Sequence, residues 1–132
     1  MEYSITANSS DSGVGEVDAK NNHYTFGISK DHKEMAGPVE ILLSAFAACC
    51  LKNVERFSSI LNFPYEHAQI KVKGIRQDKP PLMKEIIYTL EIKSSDNNLN
   101  IDLLHKNIQK FGTIYNTLNQ SSAITGEIKL LK

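Results

Sequence analysis

Residues 37–51 carry the strongest structural signal in the chain: Gly37-Pro38-Val39-Glu40-Ile41-Leu42-Leu43-Ser44-Ala45-Phe46-Ala47-Ala48-Cys49-Cys50-Leu51. Pro38 predicts the first position of a helix, where a missing N–H leaves no intrahelical hydrogen bond unmade. Glu40 adds a negative charge in the first turn, which the helix dipole favours. A helix that is apolar all round, as Ile41–Leu51 would be, is usually buried in a core or between subunits. The pattern should stop before Pro64, which gives a helix of about 25 residues and roughly 37 Å.

The two cysteines, Cys49 and Cys50, lie in the middle of this predicted helix on different faces. The face through Cys50 is apolar throughout and contains Val39, Leu43, Phe46, Cys50, Val54, Phe57 and Leu61. The face through Cys49 continues into Lys52, Asn53 and Arg56, whose side chains lean toward the helix N-terminus. Cys50 is therefore predicted to be a core thiol, and Cys49 a thiol between apolar and cationic surroundings, where reactive cysteines occur. The alternative is that both are small core hydrophobes, the commonest fate of free cysteine.

The segment Gly37–Cys49 resembles the Gly/Ser-Pro-x-Glu-Leu-Leu…Cys helix of the OsmC/Ohr family, the osmotically inducible and organic hydroperoxide resistance proteins. The resemblance places Cys49 on the peroxidatic position, and it is closer to the general OsmC-like branch. It extends over most of the chain, through Lys71-Val72-Lys73-Gly74, Pro80-Pro81 and the late segment Thr113–Leu118. It implies an OsmC-like fold, an intertwined homodimer with active sites at the subunit interface, and reduction of organic hydroperoxides.

The chain departs from the family pattern at two places. Peroxide-reducing members usually carry a second, resolving cysteine just before the late segment, and Gly112 stands at that position here. The best-known hydroperoxidases also use an early-loop arginine and a glutamate directly after the helix-opening proline. Here Val39 follows that proline, Glu40 comes one residue later, and no arginine precedes Arg56. The resemblance thus supports the fold but not the two-cysteine mechanism.

Composition excludes several classes of protein. The 132 residues suit one domain, 1–132. Fifteen Lys plus Arg balance fifteen Asp plus Glu, so the sequence predicts neither a nucleic-acid partner nor an anionic membrane surface. Adjacent helical cysteines cannot meet disulfide geometry, and reduced thiols indicate the cytoplasm. Residues 1–4 show no signal-peptide pattern, and the apolar run is too short to span a bilayer.

Alternation of apolar and polar residues predicts the strands 3–7, 14–19, 23–28, 67–77, 85–93 and 123–131. In strand 85–93, Ile86, Tyr88, Leu90 and Ile92 share one face. A second helix begins at residue 100 or 101 and ends at Gly112 as a C-cap, and a short helical piece covers 114–118. The inward residues predicted for that second helix are Ile101, Leu104, Ile108 and Phe111.

These elements predict an α+β fold in which antiparallel strands surround the long cysteine-bearing helix. Strands of a chain this size leave part of an all-apolar helix uncovered. A helix from a second subunit would cover the rest, so the sequence predicts a homodimer with a large apolar interface.

The favoured function is thiol-dependent reduction of organic hydroperoxides, with Cys49 oxidised to sulfenic acid. Because Cys49 lies far from the helix N-terminus, a cation must stabilise its thiolate. Arg56, Arg76 or a lysine of the loop 29–36 could serve, and Glu40 could orient that cation. Because Gly112 cannot resolve the sulfenic acid, an external thiol reductant is expected.

The sequence leaves two alternative functions open. One is a catalytically lapsed stress or binding dimer that keeps an apolar pocket for a small ligand. The other is a purely structural dimer in which Cys49 only packs. No cofactor is predicted, and the four histidines are too scattered to support a metal site.

Overall fold

The computed structural model describes residues 1–96 and 98–132. Backbone contacts group the chain into two compact units, Met1–Leu42 and Leu43–Lys132. One domain spanning 1–132 stays a prediction. No helix in the described part of the chain is both long and apolar enough to cross a membrane.

The first unit contains a three-stranded antiparallel sheet in the order β1-β2-β3. Its strands are β1 (Thr6–Ser9), β2 (Val14–Ala19) and β3 (Asn22–Gly27), and a short 3₁₀ helix follows at Lys30–His32. The tight connection between β2 and β3 places Lys20 at φ 53°, a turn conformation rare for residues other than glycine. The predicted second strand is confirmed at its bounds, and the third is shifted by one residue.

The first predicted strand, 3–7, is wrong in its bounds. The observed strand runs from Thr6 to Ser9, so Asn8 and Ser9 extend it instead of forming the turn. All four residues are exposed, so burial of one face is not the reason that this segment forms a strand. Pairing with β2, from Thr6 opposite Asp18 to Ser9 opposite Gly15, sets the strand, and Gly13 at φ +82° makes the tight return.

Helix α1 runs from Pro38 to Ile60 and carries both cysteines. Its start is capped by Glu40, whose Oε1 accepts a hydrogen bond of 2.8 Å from the Gly37 amide. Asn62, at φ 53°, turns the chain after the helix, before Pro64. The buried residues of α1 are Phe46, Cys50, Asn53, Val54 and Phe57. The helix thus begins at Pro38 as predicted but ends at Ile60, before the predicted Leu61, and the buried part of the predicted Cys50 face is Phe46, Cys50, Val54 and Phe57.

The second unit is built on a three-stranded sheet in the order β4-β5-β6. The strands are β4 (His67–Asp78), β5 (Pro81–Lys93) and β6 (Ala123–Leu131). A register shift between Ile75 and Arg76 interrupts the β4–β5 ladder. The central strand β5 buries the predicted face of Ile86, Tyr88, Leu90 and Ile92, and it starts four residues earlier than expected.

The prediction of antiparallel strands is wrong for the last pair, because β5 and β6 are parallel. Helices α2 (Ile101–Phe111) and α3 (Thr113–Leu118) lie between them in sequence. Parallel neighbours need such a crossover, whereas an antiparallel pair can be joined by a tight turn. The fold is therefore α+β with one antiparallel sheet and one mixed sheet.

The core of the second unit joins α1, β5, α2 and α3 through the buried residues Phe46, Cys50, Val54, Ile86, Tyr88, Leu90, Leu104, Ile108 and Tyr115. Leu104 and Ile108 are inward on α2, as predicted. Phe111 was expected there too, but it is 44% exposed. Its ring lies 5.8 Å from that of Phe57, at the rim of the core, because α2 ends at this residue.

Candidate functional site

The two adjacent thiols occupy different environments. Cys50 is fully buried, while Cys49 is half-buried, and both are free. Burial, with a smaller contribution from neighbouring Cys49, raises the pKa of the Cys50 thiol to about 12. A thiol with so high a pKa is almost wholly protonated at neutral pH and cannot act as a nucleophile. Cys50 is therefore a core residue, as predicted, and Cys49 is the less buried of the two thiols.

Asn53 lies one helical turn beyond Cys49 and is buried, with 7% of its surface exposed. Its side-chain Nδ2 donates a hydrogen bond of 3.0 Å to the Cys49 carbonyl oxygen. The same Nδ2 lies 3.9 Å from Cys49 Sγ. An amide nitrogen has two hydrogens, so it can serve the carbonyl and the sulfur together. Asn53 is thus the polar side chain held against the thiol.

Gly112, between α2 and α3, forms another wall beside Cys49. A Cβ atom on Gly112 would lie 3.1 Å from Cys49 Sγ, 2.9 Å from the Ile108 carbonyl oxygen and 3.0 Å from the Tyr115 Cβ. Residue 112 is buried, and its amide donates to the same Ile108 oxygen, which closes the end of α2. The predicted C-cap is thereby confirmed. The backbone at Gly112 packs against the sulfur without any side chain between them.

Arg56 is held by aromatic rings. Its guanidinium carbon lies 5.4 Å from the Phe57 ring centroid and 5.7 Å from that of Phe111. The ammonium of Lys110 approaches the Phe111 ring at 5.2 Å. Such cation–π contacts are worth roughly 0.5–1 kcal/mol at exposed sites. They explain why Phe111 is tolerated at the surface.

Arg76 and Glu40 each have a partner of their own. Arg76 is exposed on β4 and pairs with Asp78, with a distance of 2.6 Å between Nη1 and Oδ1. Glu40 belongs to the first unit, where it caps the start of α1. The observed partners of Arg56 are aromatic rings, and the groups observed against Cys49 are Asn53 and Gly112.

Comparison with known proteins assigns the family. Residues 31–127 match the family model described as OsmC-like protein, which is almost three quarters of the chain. The chain belongs to the OsmC-like family. The resemblance carried by Gly37–Cys49 is thereby confirmed. No curated protein matches the sequence.

Solved structures share the OsmC-like fold along the whole chain. An OsmC-like protein from Mycoplasma pneumoniae has a TM-score of 0.89 at 22% identity, covering 100% of this chain and 99% of that one. An organic hydroperoxide resistance protein OsmC from Legionella pneumophila has a TM-score of 0.67 at 12% identity, covering 96% and 97%. The organic hydroperoxide resistance protein OhrB of Bacillus subtilis has a TM-score of 0.63 at 15% identity, covering 98% of each chain.

Part of the surroundings of Cys49 in this OsmC-like protein is predictable from the sequence. Helical spacing places Asn53 on the Cys49 face, and the family resemblance places Gly112 at the position of the resolving cysteine. The sequence assigns no role to Asn53. Helical periodicity gives the face of a residue but not the rotamer that turns its amide toward the preceding turn. The i, i+4 spacing of a cysteine and a buried asparagine is the available signal.

Within residues 1–96 and 98–132, no three His, Cys, Asp or Glu side chains are grouped as a metal site. A groove of about 220 Å³ in the first unit is lined by Asn8, Ser9, Ser10, Ser12, Val14 and Glu16. It contains no thiol or cation, so the chemistry of this OsmC-like protein is better sought at Cys49.

Proposed function

We propose that this protein reduces organic hydroperoxides through Cys49 and is regenerated by an external thiol. The observation that carries the proposal is the contrast between the two thiols: Cys49 is half-buried and held beside Asn53, while Cys50 is fully buried with a raised pKa. Family membership and structural neighbours described as organic hydroperoxide resistance proteins support the same chemistry. Fold alone would not, because one fold hosts many activities.

In the proposed reaction, the Cys49 thiolate attacks the terminal oxygen of the hydroperoxide. An S–O bond forms, the O–O bond breaks, and the leaving alkoxide takes a proton to become the alcohol. The sulfur is oxidised to sulfenic acid by two electrons, and the peroxide is reduced by the same two. A first external thiol then forms a mixed disulfide with Cys49 and releases water. A second external thiol displaces Cys49 and leaves as a disulfide.

The role of the cations is also a proposal. Arg56 and Arg76 are the two arginines of the chain, and one of them would approach the Cys49 thiolate; their observed partners are aromatic rings and Asp78. The pair of Arg76 with Asp78 is exposed, and such pairs contribute little stability, typically about 0–1 kcal/mol. Glu40, as the acid nearest the start of α1, would orient the cation.

We also propose a cytoplasmic homodimer, formed by one OsmC-like domain of residues 1–132 per subunit. Both cysteines are free, as a reducing compartment requires. Large apolar side chains of the second unit are exposed in the single chain, namely Ile60, Ile87, Leu103, Phe111 and Leu131. Ala45 and Ala48 on α1 are exposed too. A second copy would cover such residues and form the apolar site in which an organic hydroperoxide binds.

The test is peroxide consumption by purified protein. Cumene hydroperoxide would be supplied with dithiothreitol, dihydrolipoamide or thioredoxin in turn, and its loss measured against protein-free controls. We expect turnover by the wild type and by Cys50→Ala, and a fall to background in Cys49→Ser. Equal activity of the wild type and Cys49→Ser would refute the proposal.

The alternative function is a lapsed OsmC-like dimer that binds a small apolar ligand without turnover. Specific observations favour it: Gly112 replaces the resolving cysteine, and the contacts observed for Arg56 and Arg76 are with other groups. Absence of turnover with all three reductants, together with binding of apolar ligands, would support this reading.

A further inference from the structure

Asn53 is an unusual residue for its place in α1. Asparagine is a poor helix former in an interior position, because its side chain competes for backbone hydrogen bonds. It is also costly to bury unless its amide finds partners. Yet Asn53 is buried between the apolar residues Cys50 and Val54 of the same core-facing region. An apolar residue would serve packing better, so the amide needs another explanation.

The contacts of the amide point to Cys49. The bond from Nδ2 to the Cys49 carbonyl, at 3.0 Å, fixes the amide one turn above the cysteine. The backbone amide of a helical residue at i+4 bonds to that same carbonyl, so this second bond is not needed to satisfy it. What the bond does is hold Nδ2 at 3.9 Å from Sγ. The second N–H hydrogen is thus available to the sulfur.

A donor beside sulfur acts mainly on the charged form. A neutral thiol is a weak acceptor, and 3.9 Å is long for a hydrogen bond to it. A thiolate accepts strongly, and a bond to the charged form favours that form. Contacts of catalytic groups are often long before the reaction and shorten when charge develops. The geometry therefore suits a donor that engages once Cys49 ionises.

We infer that Asn53 is a positioning residue that donates to the Cys49 thiolate and then to the sulfenate oxygen. Asn53 thereby stabilises the Cys49 thiolate, a role for which the sequence suggested an arginine or a lysine. This role bears on catalysis only if the proposed function is correct. Its effect on the ionisation of Cys49 stands apart from any peroxide chemistry.

The experiment measures the pH dependence of Cys49 alkylation. Wild type, Asn53→Leu and Asn53→Asp would be treated natively with iodoacetamide from pH 5 to 10, and labelling at Cys49 read by tandem mass spectrometry. Leucine has the same number of side-chain heavy atoms as asparagine, although it is larger, and it removes the donor, while aspartate replaces the donor by a negative charge. We expect alkylation of Cys49 at pH 7 to fall about tenfold in Asn53→Leu, and the pH dependence of its labelling to move toward higher pH. Asn53→Asp should shift the midpoint further.

Stability provides the control. Leucine is a better helix former and removes a buried polar group, but its larger side chain must fit the core, so the unfolding midpoint of Asn53→Leu is measured beside the labelling. A merely structural role for Asn53 predicts faster labelling of both cysteines, whereas the inferred role predicts slower labelling of Cys49 alone. An unchanged Cys49 labelling profile in Asn53→Leu, folded by circular dichroism, would overturn the inference. If aspartate prevents folding, Asn53→Leu alone settles it.

Failure of this inference can be told from failure of the proposed function. A shifted midpoint in a protein without turnover would leave Asn53 in its role and remove the peroxidase. Turnover that depends on Cys49, with both the rate and the labelling midpoint unchanged in Asn53→Leu, would support the peroxidase and remove the role of Asn53.

Discussion

At the scale of single residues, one helix places two neighbouring cysteines in different environments. Successive helical residues point about 100° apart, so Cys50 faces the core while Cys49 reaches its edge. Burial holds Cys50 protonated, and Asn53 and Gly112 lie against Cys49. The difference in burial between the two thiols thus follows from the phase of the helix.

The missing resolving thiol can be restored by Gly112→Cys. A Cβ at residue 112 would lie 3.1 Å from Cys49 Sγ, close to the roughly 3 Å between a Cβ and the opposite sulfur in a disulfide. We therefore expect Gly112→Cys treated with one equivalent of cumene hydroperoxide to form an intrachain disulfide, seen as a loss of two mass units. The wild type should show no such loss.

Gly112→Ala is the matched control for this variant. It adds the same Cβ, which crowds the Ile108 oxygen and the Tyr115 Cβ at 2.9 and 3.0 Å, but brings no thiol. Overpacking of this kind typically costs about 1–3 kcal/mol of unfolding free energy. Persistence of a dimedone-reactive Cys49 in oxidised Gly112→Cys, without a disulfide, would show that the two positions do not meet.

At the scale of elements, the sequence predicted most helices and strands because their patterns are periodic. The bounds of β2, β6 and the start of α1 follow from alternation and from Pro38. Direction of pairing does not, since β6 would show the same alternation in either orientation. The first strand was misplaced because it is exposed on both faces and is selected only by its partner β2.

The same limit applies to the candidate site. The faces of Cys49 and Cys50 could be predicted from helical spacing, and the position of Gly112 from the family resemblance. The partners of Arg56 and Arg76 could not, because long side chains choose among several neighbours within reach. Phe111 likewise fits the inward stripe of α2, and only the end of the helix leaves it half-exposed.

Helix α2 is tied to the central strand by a hydrogen bond that should depend on pH. The Tyr88 hydroxyl lies 2.5 Å from His105 Nε2. Burial raises the pKa of Tyr88, so its hydroxyl stays protonated, and the hydrogen bond joins it to His105. Burial lowers the pKa of His105 below 6.5, opposed in part by Asp102.

The direction in which stability changes with pH follows from this lowered pKa. Above pH 6.5 His105 is mostly neutral in the folded and unfolded chain, so its contribution to the free energy of unfolding is fully present. Below pH 6.5 the unfolded chain binds the proton first, and stability falls as pH drops toward the folded pKa. We expect His105→Gln to lose less unfolding free energy between pH 7.5 and 5.5 than the wild type, by less than about 1 kcal/mol because His105 is partly exposed. Chemical denaturation at both pH values measures this, and equal losses would contradict it.

At the scale of the whole molecule, the proposed homodimer should depend on the exposed surface of α1. We expect the wild type to sediment at about twice the 14.8 kDa chain mass. Ala48 is exposed in the single chain, so Ala48→Glu should fold and yet weaken the dimer by placing a charge in an apolar interface. Ala48→Ser, which keeps a small side chain, is the control. A folded monomer of the wild type at micromolar concentration would contradict this prediction.

We propose that Cys49 is the peroxide-reactive thiol and that no second cysteine of the chain resolves its sulfenic acid. The wild type would be treated with one equivalent of cumene hydroperoxide, sulfenic acid trapped with dimedone, and intact and peptide masses read with and without reductant. We expect a dimedone adduct on Cys49, none on Cys50, and no intrachain loss of two mass units. An adduct on Cys50, an intrachain disulfide, or an unoxidised Cys49 would refute the proposal.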